Sequence, residues 1–387
     1  MTDSAIIATS VATPLAVLLQ AAGKPAGGSV AGKPARLVDY RSVLTPRELD
    51  APAAETAALT AAAAVHDLGW LRRIAVRGED RFRWLSGMVT NTVNDLGSNS
   101  GAWNLVLNAQ GRIQGDLTVW REEDSIEIEM EASQMDRLLA HLERFIIMDD
   151  VELVPLGLDP ATAETALGLT GPSASEVLAR MGLPVLAEAM TATRVEWNGL
   201  DLRILRTYGA IAEHYEIWLP AHGVGKLWRM ITTGGASPVG SAALDALRVA
   251  EGIPAYGIDI VERDLPQETS QMRALHFNKG CYLGQEIVER IRSRGNVHRH
   301  LLQLEIDGPL PAAGTELNLR AEGTESNLQG APAGNITSAA QLPGAAASRT
   351  FALGMIRGEA ETRGEPLTYT TPEGAGAARI LSSAPTF

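Results

Sequence analysis

The single cysteine of this chain, Cys281, lies in a glycine-flanked and locally basic stretch, NKGCYLGQEIVERIRSRGNVHRHL, over residues 278–301. Apolar residues at helical spacing after Gly284 predict a helix that begins there, so the thiol precedes a helix N-terminus. Free N–H groups and the helix dipole at that end stabilise a thiolate, and Lys279 adds positive charge. Gly280 leaves the sulfur open to approach. The pattern predicts an acidic, accessible thiol, against the alternative of a small buried hydrophobic residue.

The overall composition limits which functions the chain can have. The net charge is −13 at pH 7, which argues against general attraction to nucleic acid or to an anionic membrane. No stretch reaches the ~18 uninterrupted apolar residues of a membrane span. One cysteine excludes an internal disulfide, which fits a cytoplasmic protein, and one thiolate cannot hold an iron–sulfur cluster that takes about four.

The N-terminal region is predicted to be a short helix followed by a linker. Residues 12–22 read as a helix that Thr13 caps, with Pro14 at its first position. The Gly/Pro/Ala-rich stretch that follows has phosphate-loop-like spacing at residues 27–33. Because Pro34 stands where such a loop has Ser or Thr, a flexible linker is the favoured interpretation.

The central part of the chain has the pattern of an α+β protein rather than of an alternating βαβ series. A strand at 73–78 leads into a helix, and two strands over 102–120 meet at a turn. Residues 125–130 alternate as a half-buried strand, and apolar residues at helical spacing predict a helix over 135–146. A further helix is predicted at 241–252.

The last quarter of the chain changes character. Short strands separated by turn residues predict a small β-barrel, and no helical periodicity appears after about residue 295. The predicted domains are residues 1–37 for the N-terminal helix and linker, 38–154 with 241–297 for a first, discontinuous α+β domain, 155–240 for a second α+β domain and 298–387 for the C-terminal β-barrel.

The octapeptide KGCYLGQE at residues 279–286 resembles the K-G-C-Y-x-G-Q-E signature of the YgfZ-like folate-binding proteins, which belong to the superfamily of the glycine-cleavage T-protein, the aminomethyltransferase. Further resemblance lies in TPLAVLLQAAG near the start, in VRGEDRFRWLSGMVTNTV (76–93, with Thr92 where Asp is usual), in GRIQGDLTVW and in LRVAEGIPAYGIDI. The resemblance implies two ferredoxin-like α+β domains and a C-terminal β-barrel around a central hole that accepts a reduced folate.

The resemblance also implies tetrahydrofolate, or a one-carbon-substituted folate, as the cofactor, and it points to site residues. Asp116 matches a strand carboxylate close to the folate, although Gly115 stands where aminomethyltransferases carry a first Asp. Glu251 stands one position beyond the superfamily's pterin-side Glu, a turn of about 100 degrees on a helix. Tyr256 and Trp70 are candidates to stack on the ligand.

Cationic and signature residues complete the set of candidates. Lys279 and Gln285 belong to the signature and are expected to contact the cofactor, and Arg292, Arg294 and Arg299 are candidate partners for the folate carboxylates. Each candidate has a structural alternative, as a turn cap, a helix-end acid, a packing aromatic or part of a solvated helix face. No metal site is predicted.

Three functions follow from these observations. The first is a folate-binding accessory protein for the assembly or repair of iron–sulfur clusters, including those of tRNA-modifying enzymes. Cys281 would be the reactive thiol, with Asp116 in the site, and a client such as a tRNA methylthiotransferase would supply the remaining cluster ligands. The second is a tetrahydrofolate-dependent aminomethyltransferase, which needs no cysteine. The third is a non-catalytic folate-binding scaffold. Neither direct nucleic-acid binding nor a membrane is expected.

Overall fold

The computed structural model describes residues 11–21, 35–295, 297–320, 330–343 and 348–387. The phosphate-loop-like spacing at 27–33 lies outside the described residues. None of the helices described is long and apolar enough to cross a membrane.

The helices include those predicted from apolar spacing at 12–22, 135–146 and 241–252. They are α1 (Pro14–Ala21), α2 (Pro52–Ala61), α3 (Arg81–Met88), α4 (Ala132–Glu143), α5 (Ala174–Arg180), α6 (Val224–Thr233), α7 (Ser241–Ala250), α8 (Gln285–Arg294) and α9 (Gly358–Arg363). The prediction of no helix beyond residue 295 is wrong at α9. That helix has six residues, too few for a helical period to register in the sequence.

The strands fall into two groups. Those before α8 are β1 (Leu37–Tyr40), β2 (Val43–Pro46), β3 (Ala64–Asp67), β4 (Leu71–Arg77), β5 (Ser100–Leu107), β6 (Ile113–Arg121), β7 (Ile126–Glu131), β8 (Glu152–Pro155), β9 (Glu164–Thr170), β10 (Thr191–Trp197), β11 (Leu200–Thr207), β12 (His214–Pro220) and β13 (Ser237–Pro238). Those after α8 are β14 (Arg299–Asp307), β15 (Glu316–Asn318), β16 (Pro332–Leu342), β17 (Arg349–Arg357), β18 (Leu367–Thr371) and β19 (Gly374–Ile380).

The fold is α+β, as predicted, and its α+β part is built on one sheet of described strands in the order β13-β3-β9-β12-β11-β10-β5-β6-β7-β4-β8. Two halves meet where β10 pairs with β5 through Thr191 and Ser100. Strand β3 falls within the range 38–154 predicted for the first domain, yet it pairs with β9 and β13. A four-residue strand carries no local signal for its pairing partner, and the domain boundaries stay a prediction.

Helices cover each half of the sheet. Helix α4 buries Met135, Leu138 and Leu142 against the first half, where they join Ile74 and Ile128 in one core. Helices α1, α5 and α6 bury their apolar faces against the second half. Each Leu or Ile buried in this way contributes about 1.5–3 kcal/mol of transfer free energy.

The C-terminal strands close a barrel in the order β14-β17-β16-β15-β18-β19, which confirms the predicted β-barrel. Closure leaves no open sheet edge in the barrel. Polar contacts tie the barrel to the segment after α7, because Thr337 and Ser338 both donate to Asp259 Oδ1 at 2.6 Å. Arg248 Nη2 on α7 donates to Ser338 Oγ at 3.1 Å.

A buried ion cluster joins the two sheet halves. Arg73 on β4 and Arg203 on β11 donate to the same oxygen, Oε2 of Glu127 on β7, at 2.8 and 2.7 Å. All three residues, called here the Glu127 cluster, are buried. Strands β7 and β11 are four positions apart in a sheet whose neighbouring strands lie about 4.8 Å apart, so the contact requires the sheet to fold over on itself.

Replacing Glu127 with Ala is expected to lower the free energy of unfolding by about 2–4 kcal/mol, because Arg73 and Arg203 each lose one of their two carboxylate partners. The measurement is urea unfolding followed by circular dichroism. Arg363→Ala breaks a solvent-exposed pair with Glu359 and is the matched control, with an expected loss below about 1 kcal/mol. Equal, small losses for both variants would contradict a structural role for the Glu127 cluster.

Candidate ligand-binding site

A cavity with two adjoining lobes lies between the sheet halves. The lobes have volumes of about 220 and 230 Å³ and share the wall residues Trp70, Leu71, Glu131, Thr207, Glu216, Ile253 and Pro254. The first, the Asp116 lobe, is completed by Trp103, Asp116, Gln134, Tyr208 and Arg273, among others. The second, the His66 lobe, is completed by Tyr40, Arg41, His66, Thr170, His214, Arg248 and Glu251, among others.

Asp116, predicted from the sequence, lies in the wall of the first lobe. Trp103 Nε1 donates to its Oδ2 and Gln134 Nε2 to its Oδ1, both at 2.9 Å. Burial raises the pKa of Asp116 although both hydrogen bonds favour the ionised form. The preceding Gly115 packs against α4, and a Cβ there would lie 2.8 Å from Gln134 Oε1 and from Leu138. A side chain at this position would displace the ends of Gln134 and Leu138, and Gln134 is the residue that bonds to Asp116.

Glu131 is a second carboxyl group in the cavity, and the sequence analysis missed it. It ends β7 and faces Arg41 Nε at 3.4 Å. Burial raises the pKa of Glu131 to about 7, and the nearby charge of Asp116 raises it too, whereas Arg41 lowers it. Glu131 can therefore gain or lose a proton near neutral pH.

Glu216 on β12 is the third cavity carboxyl group, and it lines both lobes. Its carboxyl group is buried and shares a hydrogen bond with the adjacent Glu129. Burial and the adjacent Glu129 raise the pKa of Glu216 well above its ordinary value. Glu129 accepts indole N–H bonds from Trp218 at 3.1 Å and Trp120 at 3.4 Å, which favour its charged form. We therefore assign the proton of the pair to Glu216.

Aromatic rings form the rest of the cavity wall. Trp70, a predicted stacking residue, lines both lobes and meets Tyr40 edge to face, with ring centroids 5.5 Å apart. Across the Asp116 lobe, the Arg273 guanidinium lies 3.8 Å from the ring centre of Tyr208 and 4.8 Å from that of Trp103. Such surfaces favour a flat heteroaromatic ligand.

Glu251, the displaced acid of the sequence analysis, is held by the protein itself. Its Oε1 accepts the backbone N–H groups of Ile211 at 2.9 Å and Ala212 at 3.2 Å, and His214 Nε2 lies 3.1 Å away. Burial works against its charge, but the contact with His214 brings the net pKa of Glu251 below its ordinary value. Glu251 thus anchors the segment before β12 at the wall of the His66 lobe.

Three other predicted site residues, Tyr256, Arg292 and Arg299, are not among the residues that line either lobe. Tyr256 instead has its hydroxyl 2.6 Å from Arg137 Nη1, with that guanidinium 4.3 Å from its ring centre. The ring of Tyr256 contacts α4 through Arg137, and its stacking role stays a prediction.

The arginines proposed for the folate carboxylates have partners within the protein. Arg299 pairs with Asp264 at 2.8 Å and Glu268 at 3.0 Å. Arg292 on α8 faces Glu289 at 3.5 Å, and Arg294 is exposed in the last turn of the same helix. Their charges are directed to neighbouring acids or to solvent rather than to the cavity.

Lys279 of the signature octapeptide holds the end of another helix. Its Nζ donates to the backbone oxygens of Ser86, Val89 and Asn91 at 2.8, 2.6 and 2.6 Å, where α3 ends. Burial lowers the pKa of Lys279 to about 7, while the three carbonyl contacts favour its charged form. Lys279 is accordingly a structural clamp, and it is not among the residues that line the cavity.

Other signature residues shape the turn before α8, which begins at Gln285, next to the predicted start. Gly284 has φ +81°, and a Cβ there would lie 2.6 Å from the backbone oxygen of Asn108. Gln285 Oε1 accepts the backbone N–H of Tyr282 at 3.2 Å, so it serves the turn rather than the cavity. Cys281 is exposed and free, as predicted, but it does not line either lobe.

Comparisons of structure and of sequence both find similarity to aminomethyltransferases. The crystal structure of the glycine cleavage system aminomethyltransferase T from Bartonella henselae matches with a TM-score of 0.80 at 21% identity, over 95% of this chain and 96% of that one, which shows a common fold. The chain is 27% identical over 311 residues to an aminomethyltransferase of Rubrobacter xylanophilus, covering 76% of this chain and 81% of the relative.

A second relative is named Putative transferase At1g60990, chloroplastic, from Arabidopsis thaliana, with 24% identity over 313 residues, which is 79% of this chain and 67% of the relative. A family profile described as GCVT N-terminal domain matches residues 26–279, more than half of the chain. The superfamily resemblance is confirmed at this level, and the narrower YgfZ-like assignment stays a prediction. By this match, the chain belongs to the GCVT family.

Proposed function

We propose that the central cavity binds a reduced folate, and the observation that carries the proposal is the presence of three carboxyl groups, Asp116, Glu131 and Glu216, in one cavity wall. Carboxyl oxygens accept hydrogen bonds from ligand N–H groups. A pterin offers N–H groups on one edge of a flat ring. Trp70 and Trp103 provide aromatic walls for such a ring.

The cavity carboxyl groups also suit proton handling beside a folate. Bound tetrahydrofolate would supply a carrier for a one-carbon unit. The protein's own part is to bind and orient the ring and to hold protons at Asp116, Glu131 and Glu216, whose pKa values are all raised by burial. Glu131, with a pKa of about 7, is the group best matched to proton exchange at neutral pH.

We further infer that the protein serves iron–sulfur enzymes as a folate-binding accessory protein, with Cys281 as its reactive thiol. Three residues of the signature octapeptide stabilise the local backbone, namely Lys279, Gly284 and Gln285. Cys281, in contrast, is exposed, and no hydrogen bond to it occurs among the described residues. A sulfur at the surface is open to a macromolecular partner, which would contribute the other cluster ligands. Assembly or repair of clusters, including those of tRNA-modifying enzymes, is the proposed setting.

An aminomethyltransferase is the second candidate, and the position of Asp116 favours it. That carboxyl group lies in the cavity, its pKa is raised, and the relatives named above include an aminomethyltransferase. Gly115 argues against this second function, because it stands where the resemblance leads us to expect the first of two aspartates. The two functions make opposite predictions for Asp116 and Cys281.

Glu216→Ala is expected to weaken tetrahydrofolate binding at least tenfold, about 1.4 kcal/mol, because the carboxyl group in the wall shared by both lobes is removed. Isothermal titration calorimetry under anaerobic conditions measures the change. Glu305→Ala, on the barrel and paired with Arg349, is the matched control and should bind as the wild type does. Wild-type affinity in Glu216→Ala would refute this assignment.

Cys281→Ser is expected to abolish support of an iron–sulfur enzyme, such as a tRNA methylthiotransferase, in cells where the variant is the only copy. Folate affinity should not change, because Cys281 does not line the cavity. Asp116→Asn is the companion variant. An aminomethyltransferase would instead lose glycine-cleavage activity in Asp116→Asn and keep it in Cys281→Ser, and that result would replace the accessory function with the second candidate.

The raised pKa of Glu131 predicts how stability depends on pH. The folded state holds this proton up to about pH 7, whereas the unfolded chain releases it near 4.5, so stability falls as pH rises between these values. The free energy of unfolding is expected to fall by an amount on the order of 3 kcal/mol over this pH range, since each pKa unit corresponds to about 1.36 kcal/mol. Urea unfolding at pH 5 and pH 7.5 should show a smaller decrease for Glu131→Gln than for the wild type. Parallel pH profiles would show that Glu131 titrates normally.

A further inference from the structure

Three neighbouring strands place polar side chains on one face in the wall of the His66 lobe. His66 on β3 pairs with Gly168 on β9, and Gly168 pairs with Glu216 on β12. Directly opposed residues of antiparallel strands share a face, so His66 and Glu216 lie on the same side of the sheet. A Cβ at Gly168 would lie 1.8 Å from His66 Cε1, which shows that the imidazole ring lies across the glycine, toward β12.

A hydrogen-bonded chain connects His66 to the anchored Glu251. His66 Nε2 lies 3.0 Å from Thr170 Oγ1, and Thr170 Oγ1 lies 3.4 Å from His214 Nδ1. His214 Nε2 in turn lies 3.1 Å from Glu251 Oε1. Three of the four residues are buried, and the side chain of His214 is 20% exposed. The other charged or titratable groups of this lobe are Tyr40, Arg41, Glu131, Tyr215, Glu216 and Arg248.

The direction of each hydrogen bond in this chain follows from the negative charge of Glu251 at one end of it. Glu251 accepts two backbone N–H groups and pairs with His214, which favours a carboxylate beside an imidazolium, and the pKa of His214 is raised by that contact against the effect of burial. His214 Nδ1 then donates to Thr170. The threonine hydroxyl donates onward to His66 Nε2, so His66 carries its proton on Nδ1. Burial lowers the pKa of His66 to about 3, which keeps the ring neutral.

We propose that His66 is a ligand-binding residue whose Nδ1–H donates to a carbonyl oxygen of the ligand, and that Thr170, His214 and Glu251 are positioning residues that fix this polarity. His66 Nδ1 is buried, lacks a hydrogen-bond partner among the described residues, and belongs to a side chain that lines the lobe. An unpaired buried N–H is costly, so a ligand acceptor would satisfy it. The inference rests on the proposed folate site.

His66 and Glu216 together would give the site its selectivity. On the same sheet face, His66 presents an N–H donor without a partner among the described residues, and Glu216 presents a carboxyl group. A heteroaromatic ring whose edge carries both a carbonyl oxygen and N–H groups matches this pair. A ring that lacks the carbonyl would leave the His66 donor unpaired and would bind less tightly.

Two variants of His66 distinguish the role of Nδ1 from the role of Nε2 in ligand binding. The amide of Asn places a donor near the Nδ1 position, whereas the amide of Gln reaches the Nε2 position and the Thr170 contact. Calorimetry with tetrahydrofolate on the full chain should show about tenfold weaker binding for His66→Gln and a clearly smaller loss for His66→Asn. Wild-type affinity for both variants, or equal losses, would overturn the inference. If the wild type itself fails to bind tetrahydrofolate, the proposed function fails and this inference fails with it.

A spectroscopic measurement keeps the inference testable if the variants fold poorly. The chain has seven histidines, and in wild-type protein labelled with ¹³C and ¹⁵N the His66 ring signals are assigned through the backbone resonances of the same residue, without a variant. The expected result is a neutral ring protonated at Nδ1, whose Nδ1 resonance shifts when tetrahydrofolate is added. Thr170→Val should remove the tautomer preference. A wild-type ring protonated at Nε2, or an Nδ1 resonance that does not respond to bound folate, would overturn the inference.

Discussion

The structure depends on the buried carboxylate of Glu127. Arg73 and Arg203 donate to the same oxygen of Glu127 from opposite halves of the sheet, and Arg194 lies 3.5 Å from the other oxygen. These contacts require the sheet to fold over on itself, which brings strands that are distant in the sheet face to face. The cavity is the space that remains beside this contact. An arginine suits the position because its planar guanidinium stays charged when buried.

The same cluster sets the charge state of the cavity. Burial raises the pKa of Glu129, and Arg203 and Arg73 oppose that rise. The adjacent Glu216 keeps its proton because two neighbouring carboxylates cannot both be charged in a buried site. On the other side of the cavity, the pairing of Glu251 with His214 fixes a charged group at the wall. Charged groups in and beside the cavity wall thus decide which cavity atoms donate and which accept hydrogen bonds.

The signature octapeptide illustrates how a sequence motif can mix structural and chemical roles. Lys279 caps the end of α3, and Gly284 allows the turn to approach the β5–β6 loop. These residues hold the segment in place, while Cys281 stays exposed. Cys281 is not among the residues that line either lobe of the cavity. An exposed thiol suits reaction with another macromolecule better than reaction with a ligand enclosed between the sheet halves.

The sequence by itself determined the α+β class, the C-terminal barrel, the start of α8 and the candidates Asp116 and Trp70, because these follow from local periodicity, turn residues and a long motif. It did not reveal Glu131, Glu216 or His66. Each stands in a short strand whose pattern resembles ordinary alternation. Only the tertiary structure decided that these strands share a cavity and that Tyr256, Arg292 and Arg299 lie outside it. The physical reason is that burial and charge pairing depend on strands far apart in the chain, and a local pattern contains no information about those partners.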